Sequence, residues 1–147
     1  SRVLGITEED LQDIMNIRER IEGLAAYYAT VNLTPEGLKE LTHIVDLQEF
    51  YFSKRDKEHL RQVDDAFHDM ICELSRRSVI SDTLTPLMRK TRRYRRVAID
   101  NWERTTNTMN EHRKMYEAIA SGNAELAEKL ATAHIVSAKE HMIGGND

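Results

Sequence analysis

An almost unbroken helical period runs through this 147-residue sequence and constrains its fold more than any other feature. Along residues 60–74 the apolar side chains recur every three or four positions, at Leu60, Val63, Phe67, Ile71 and Leu74. Such spacing is typical of one apolar stripe along an α-helix. Only two prolines and six glycines interrupt the chain, and no segment has the two-residue period of a strand. The sequence therefore predicts an all-α protein without a sheet.

Capping signals divide this pattern into six main helices. Thr7, Thr34 and Asp56 each precede a helical segment and can accept the first free backbone N–H groups. The predicted helices span about 8–31, 35–53, 57–75, 79–101, 108–121 and 124–142, with 102–107 as a connection. Pro86 predicts either a kink in the fourth helix or a seventh helix that begins at Thr85. We expect a lead-in at 1–6, one domain over 7–143 and a disordered tail at 144–147.

Composition excludes several classes of protein. The formal net charge of −4 gives no indication of nucleic-acid binding by the chain as a whole. Six of the eight residues in 89–96 are basic, but most lie away from the apolar stripe, which predicts a solvated face. The single Cys72 excludes an intramolecular disulfide. No apolar run approaches the length of a membrane span. We expect a cytoplasmic protein that makes no membrane contact.

Four side chains with metal-binding chemistry fall on inward-facing helical positions. Asp64 and His68 stand four residues apart, so they are neighbours on a helix face that overlaps the apolar stripe. His112 and His134 lie on the apolar sides of two later helices. Imidazole and carboxylate groups are good ligands for divalent transition metals, and helical bundles build such sites from facing helices. The pattern predicts a metal site, although a single inward histidine is more often a hydrogen-bonded core residue.

Charged residues also interrupt the apolar stripes of the first and fourth helices. Arg18 and Glu22 fall within the first stripe, and Arg95 lies near the middle of the fourth. Charges at such positions are unusual unless they pair or bind something. Two interpretations of Arg18 stay open: a buried pair with Glu22, or an arginine directed at a central anion.

Short motifs throughout the chain are similar to those of one known family. The segment Asp64-Asp65-Ala66-Phe67-His68 has the D-x-x-F-H signature of the FadR-type C-terminal ligand-binding (FCD) domain of GntR-family bacterial transcription regulators. Further matches, in the family's order, are Ile17-Arg18, Ile21-Glu22-Gly23-Leu24-Ala25-Ala26, Glu111-His112, Ala118-Ile119, Gly122-Asn123 and His134. The resemblance covers about residues 7–142.

This resemblance implies an antiparallel helical bundle around a central metal and ligand cavity. It implies that Asp64, His68, His112 and His134 hold a divalent ion, with zinc expected first and nickel, manganese, iron or cobalt also acceptable. It further implies a homodimer. The expected function is effector sensing, in which the domain controls a winged helix-turn-helix DNA-binding domain that would precede Thr7 and is absent from this sequence.

We expect the effector to be a small carboxylate bound over the metal without being turned over. Arg18 and Arg95 would grip the acid, because arginine pairs well with carboxylates. Four further residues would shape the rest of the pocket: Met88, Tyr94, Met109 and Tyr116. A metal-dependent hydrolase is the alternative, because His68-Asp69 forms a literal HD dyad. The helical period turns Asp69 outward, and no nucleophile or general base accompanies the dyad, so the sequence favours a sensor over an enzyme.

Overall fold

Six α-helices make up the body of the chain in the computed structural model, which describes residues 2–3, 5–98 and 101–144, with side chains for 5–94 and 101–143. The helices are α1 Glu8–Val31, α2 Pro35–Ser53, α3 Lys57–Ser75, α4 Ser78–Ala98, α5 Trp102–Ala120 and α6 Ala124–Lys139. A π-helical segment, Glu140–Gly144, continues α6. The predicted all-α class with six main helices is confirmed.

The first residues form a minimal hairpin. Strand β1, Arg2–Val3, pairs antiparallel with β2, Ile6–Thr7, and this is the one strand pairing within the described ranges. Thr7 then caps α1: its hydroxyl accepts from Asp10 N, while the Asp10 carboxylate accepts from Thr7 N. This reciprocal capping box satisfies two backbone donors and fixes the start of the helix.

Helix α4 passes through Pro86 without a break, so the alternative with a seventh helix is not seen. Proline removes one backbone hydrogen bond, but here its ring is exposed to solvent and displaces no core side chain. The structure describes α4 as far as Ala98, and residues 99–100 lie outside the described ones. Arg89, Lys90 and Arg93 are exposed, as predicted for a solvated basic face, whereas Arg92 is partly buried and pairs with Asp65 and Asp69. The side chains of Arg95 and Arg96 lie outside the described residues.

The predicted connection at 102–107 is wrong, because α5 begins at Trp102. Asn101 caps this helix, with its side-chain oxygen 3.2 Å from Arg104 N. The Trp102 ring stacks on Phe52, with centroids 4.9 Å apart. The tertiary contact and the cap therefore stabilise a first turn in which Thr105 and Thr106 have weak helix propensity.

Helix α1 lies at the centre of the bundle and contacts α3, α4, α5 and α6. Its approach to α6 is close at Gly23, where an added Cβ would lie 2.6 Å from Thr132 Oγ1 and 3.0 Å from Glu128 O. The main core includes Ala26, Leu41, Phe67 and many other buried residues contributed by all six helices.

No helix in the described part of the chain has the length and apolarity needed to cross a lipid bilayer. Gly144 belongs to the π-helical segment, and the rest of the expected tail, 145–147, lies outside the described residues.

Candidate metal centre

Three histidines from three helices converge in the interior. His68 lies on α3, His112 on α5 and His134 on α6, and all three are buried. One ring nitrogen from each lies within 4.8 Å of the other two. Asp64, one turn before His68, is also buried and contacts the cluster. The structure therefore brings together all four metal ligands predicted from the sequence.

Three distances among these atoms are close to the spacing of ligands around one divalent ion. His112 Nε2 lies 3.3 Å from His134 Nε2. Asp64 Oδ1 lies 3.3 Å from His112 Nε2 and 3.6 Å from His68 Nε2. Tetrahedral zinc, with bonds of about 2.0–2.1 Å, places neighbouring ligand atoms about 3.3–3.4 Å apart. The donor set and its spacing are thus suited to a borderline divalent metal.

Hydrogen bonds at the far side of two rings indicate which nitrogens carry lone pairs. His112 Nδ1 donates to Gln48 Oε1 at 2.7 Å, and His134 Nδ1 donates to Glu111 Oε1 at 2.5 Å. A neutral imidazole with its proton on Nδ1 has a lone pair on Nε2. The carboxylate of Glu111 can only accept, which fixes this tautomer for His134. With Gln48 Oε1 as the acceptor for His112, two acceptor nitrogens face each other at 3.3 Å, an arrangement that a cation between them stabilises.

Glu111 is held by partners from two helices. Its Oε2 lies 3.1 Å from Arg104 Nη1, and the same guanidinium nitrogen donates to Ser137 Oγ at 2.9 Å. Burial acts to raise the pKa of Glu111, but the hydrogen bond from His134 and the positive charges around it prevail, so its pKa lies below the usual range. Burial lowers the pKa of His134, although the Glu111 carboxylate opposes this. An ionised glutamate facing a neutral imidazole is the result.

Arg18 and Glu22 form the buried pair that one of the two sequence interpretations predicted. The Arg18 guanidinium contacts Glu22 Oε2 through Nε and donates to Thr91 Oγ1 at 2.7 Å through Nη1. Glu22 Oε1 in turn lies 3.7 Å from His68 Nδ1. Arg18 thus reaches the histidine cluster through Glu22, and its charge is balanced there.

The HD dyad is not assembled as a catalytic pair. His68 faces the cluster, whereas the Asp69 carboxylate is 48% exposed and pairs with Arg92. His59 is also away from the site, in a half-exposed pair with Asp56, and His43 is exposed. The outward direction predicted for Asp69 is confirmed.

A pocket of about 450 Å³, counted with its open solvent, lies between the beginnings of α3 and α5. Asp64 is among its lining residues, so the pocket reaches the candidate metal centre. Arg61 and Lys57 contribute positive charge, and Trp102 and Met109 contribute apolar surface. Asp64 is thus the residue of the cluster that this pocket exposes to a ligand from outside.

The residues predicted to bind the effector are spread over different parts of the fold. Met109 lines the pocket. Met88 is buried in the main core, and the Tyr116 hydroxyl lies 2.7 Å from Thr42 Oγ1. Tyr94 packs against a second apolar cluster that includes Leu11, Met15, Ile135 and Met142. The side chain of Arg95 lies outside the described residues.

The residues that hold the histidine rings at the candidate metal centre were not predicted from the sequence. Gln48 is 2% exposed and follows Leu41, Ile44 and Val45 at helical spacing, so a polar residue on an apolar stripe was the available signal. Glu111 offered no such signal, because it directly precedes His112 and its partner His134 is 23 residues away.

Comparisons with known proteins agree with this architecture. A family model described as the FCD domain matches residues 13–137. The HTH-type transcriptional regulator LutR of Bacillus subtilis (strain 168) is 25% identical over 154 residues, which cover 98% of this chain and 67% of LutR. LutR is named a transcriptional regulator rather than an enzyme, so the hydrolase alternative has no support here.

Two solved structures have the same fold. E. coli McbR/YncC superposes with a TM-score of 0.82 at 20% identity, covering 95% of this chain and 71% of its own. Streptococcus agalactiae GntR superposes with a TM-score of 0.74 at 22% identity, covering 88% of this chain. The superposition spans only 58% of the length of the streptococcal protein.

Proposed function

Since this chain belongs to the FCD domain family, we propose that it senses a small carboxylate at a metal centre on behalf of a GntR-family transcription regulator. Asp64, His68, His112 and His134 would hold one divalent transition metal, with zinc expected first and nickel, manganese, iron or cobalt as alternatives. The facing acceptor nitrogens of His112 and His134, 3.3 Å apart, carry this proposal. A bound ion would supply a Lewis-acidic position to which a carboxylate oxygen can coordinate.

The buried charges beside the site are paired. Glu22 pairs with Arg18, and Glu111 pairs with Arg104. Because Arg18 is bound to Glu22, we assign it to the edge of the site rather than to a direct grip on the acid.

We propose that the effector enters through the pocket beside Asp64. The pocket wall includes Arg61 and Lys57, and Leu60, Trp102 and Met109 provide apolar surface for the rest of the molecule. Arg95 stays a candidate for a direct contact with the acid. Met88, Tyr94 and Tyr116 pack within the bundle. We therefore propose that they transmit a structural change from the site to the rest of the domain and do not contact the effector.

The regulatory part of the proposal concerns the whole protein. Binding would change how an attached winged helix-turn-helix domain sits on DNA in the cytoplasm, which requires that the acid bind two states of the regulator unequally. We expect a homodimer, since such DNA-binding domains read paired half-sites. Sedimentation at high micromolar concentration tests this: a dimer is expected, and a monomer would contradict it.

Calorimetry with a panel of hydroxy, keto and dicarboxylic acids tests the sensing function. We expect at least one acid to bind the zinc-loaded protein and to bind the metal-stripped protein at least tenfold more weakly. The single Trp102, which lines the pocket, provides a fluorescence readout of the same event. Met109→Trp, which fills the pocket, should abolish binding, whereas Met70→Leu on another face should not. Equal binding with and without metal would contradict the proposal.

A further inference from the structure

The two histidines that face each other at the candidate metal centre have different partners behind them. The amide oxygen of Gln48 accepts from His112 Nδ1, and the carboxylate of Glu111 accepts from His134 Nδ1. His112 also stacks on Phe67, with centroids 4.2 Å apart and ring planes 15° from parallel. The orientation of His112 is therefore fixed by packing as well as by its hydrogen bond. His134 stacks on His68, another member of the cluster, with centroids 5.3 Å apart. Its partner outside the cluster is therefore the carboxylate of Glu111.

We propose that Glu111 is the positioning residue of the centre: it holds His134 in the tautomer whose Nε2 lone pair points at the other ligands. This inference rests on the proposed metal centre but concerns a residue that is not a ligand. A carboxylate behind a histidine both fixes the tautomer and makes the ring a stronger donor. Gln48, a neutral amide, gives its histidine orientation without that second effect.

The surroundings of Glu111 suit this role. Arg104, in the first turn of α5, and Ser137, on α6, both hold its Oε2, which leaves Oε1 for His134. Arg104 is 6% exposed and His134 is 4% exposed, whereas the Glu111 side chain between them is 27% exposed, so the contacts are shielded from water mainly by its two partners. The carboxylate is therefore fixed from one side by a guanidinium and presents its other oxygen to the ring.

Zinc affinity measured by competition with a chromogenic chelator gives the first test. Loss of a histidine's outer partner typically costs about 10–100-fold in metal affinity, and we expect a loss in that range for Glu111→Ala. Glu111→Gln keeps an acceptor but loses the charge, so it should recover part of the affinity. Glu117→Ala, which removes an exposed glutamate from the same helix, should leave affinity unchanged.

The ring tautomer of His134 gives a second readout that general destabilisation would not produce. Long-range proton–nitrogen spectra of the metal-free protein at pH 8 should show His134 protonated on Nδ1 in the wild type and in Glu111→Gln. In Glu111→Ala this preference should be lost. Backbone spectra establish that each variant is folded.

The two measurements separate this inference from the proposed function. If the wild type binds no zinc, the metal centre is wrong, while the tautomer of His134 still decides the role of Glu111. Protonation of His134 on Nε2 in the wild type would overturn the inference. So would unchanged tautomer and unchanged zinc affinity in folded Glu111→Ala.

Discussion

His112 Nε2 lies 3.3 Å from His134 Nε2, and the opposite nitrogen of each ring is held by a hydrogen-bond acceptor. Both facing nitrogens therefore present lone pairs. Asp64 Oδ1, 3.3 Å from His112 Nε2, adds negative charge to the same point. A buried cluster of acceptors of this kind is costly by itself and favourable around a cation.

Chelation should lower the melting temperature of the protein, because an ion that binds only the folded state stabilises it by mass action. The contribution is about 2.7 kcal/mol when free metal is at a hundredfold excess over the dissociation constant. His134→Ala should remove the difference between chelated and metal-supplemented samples in differential scanning fluorimetry. His59→Ala, a half-exposed histidine away from the site, should retain it. Equal chelator sensitivity in wild type and His134→Ala would count against the site.

Glu22→Ala should destabilise the fold strongly, because it leaves the Arg18 guanidinium buried without its carboxylate partner. Breaking a buried pair from one side costs about 3–5 kcal/mol. Glu19→Ala is the matched control on the same helix, since its pair with Lys139 is partly exposed and is worth about 0–1 kcal/mol. Urea unfolding measures both changes in the free energy of unfolding. Similar losses in the two variants would show that Arg18 is not effectively buried.

Cys72 should react slowly with iodoacetamide in the folded protein. Burial, with the nearby carboxylates of Glu22 and Asp69, raises the pKa of its thiol to about 12. Because the thiolate is the reactive form and the folded state retains the proton, almost no reactive species exists at pH 8. Mass spectrometry should show rapid labelling only in denaturant, and the single cysteine makes the signal unambiguous. Complete labelling of the native protein within minutes would be inconsistent with this burial.

Gly23→Ala should destabilise the protein although alanine is the better helix former. The new Cβ would lie 2.6 Å from Thr132 Oγ1 and 3.0 Å from the Glu128 carbonyl, so α1 and α6 must move apart. Overpacking of this kind costs about 1–3 kcal/mol, whereas helix propensity alone would give a gain of about 0.8–1.0 kcal/mol. Thermal unfolding distinguishes the two, and a stabilised variant would contradict the close contact.

Helical periodicity and caps were sufficient to predict most of the fold. The bounds of α1, α2 and α3 agree with the prediction because Thr7, Thr34 and Asp56 accept backbone N–H groups where the sequence indicated. The start of α5 was not predicted because the helix propensity of its first turn is weak. The stacking of Trp102 on Phe52, 50 residues away in sequence, is a tertiary contact that no local pattern reports.

Helical phase was also sufficient to select the inward-facing groups of the site, but not their outer partners. Asp64 and His68 share a face by their spacing, so their proximity could be predicted. Whether Arg18 pairs with Glu22 or faces an anion depends on rotamers that spacing does not determine. The contact between Glu111 and His134 joins two helices and becomes visible only when their relative rotation is known.

Native mass spectrometry combined with elemental analysis tests the central claim most directly. Protein purified without chelator and supplemented with a mixture of divalent transition metals should carry one such ion per chain. The double variant Asp64→Ala/His112→Ala should carry none, while the matched double variant His43→Ala/His59→Ala, which removes two histidines away from the site, should carry the same load as wild type. A wild-type protein without metal, or an equal metal load in the first double variant, would contradict the account.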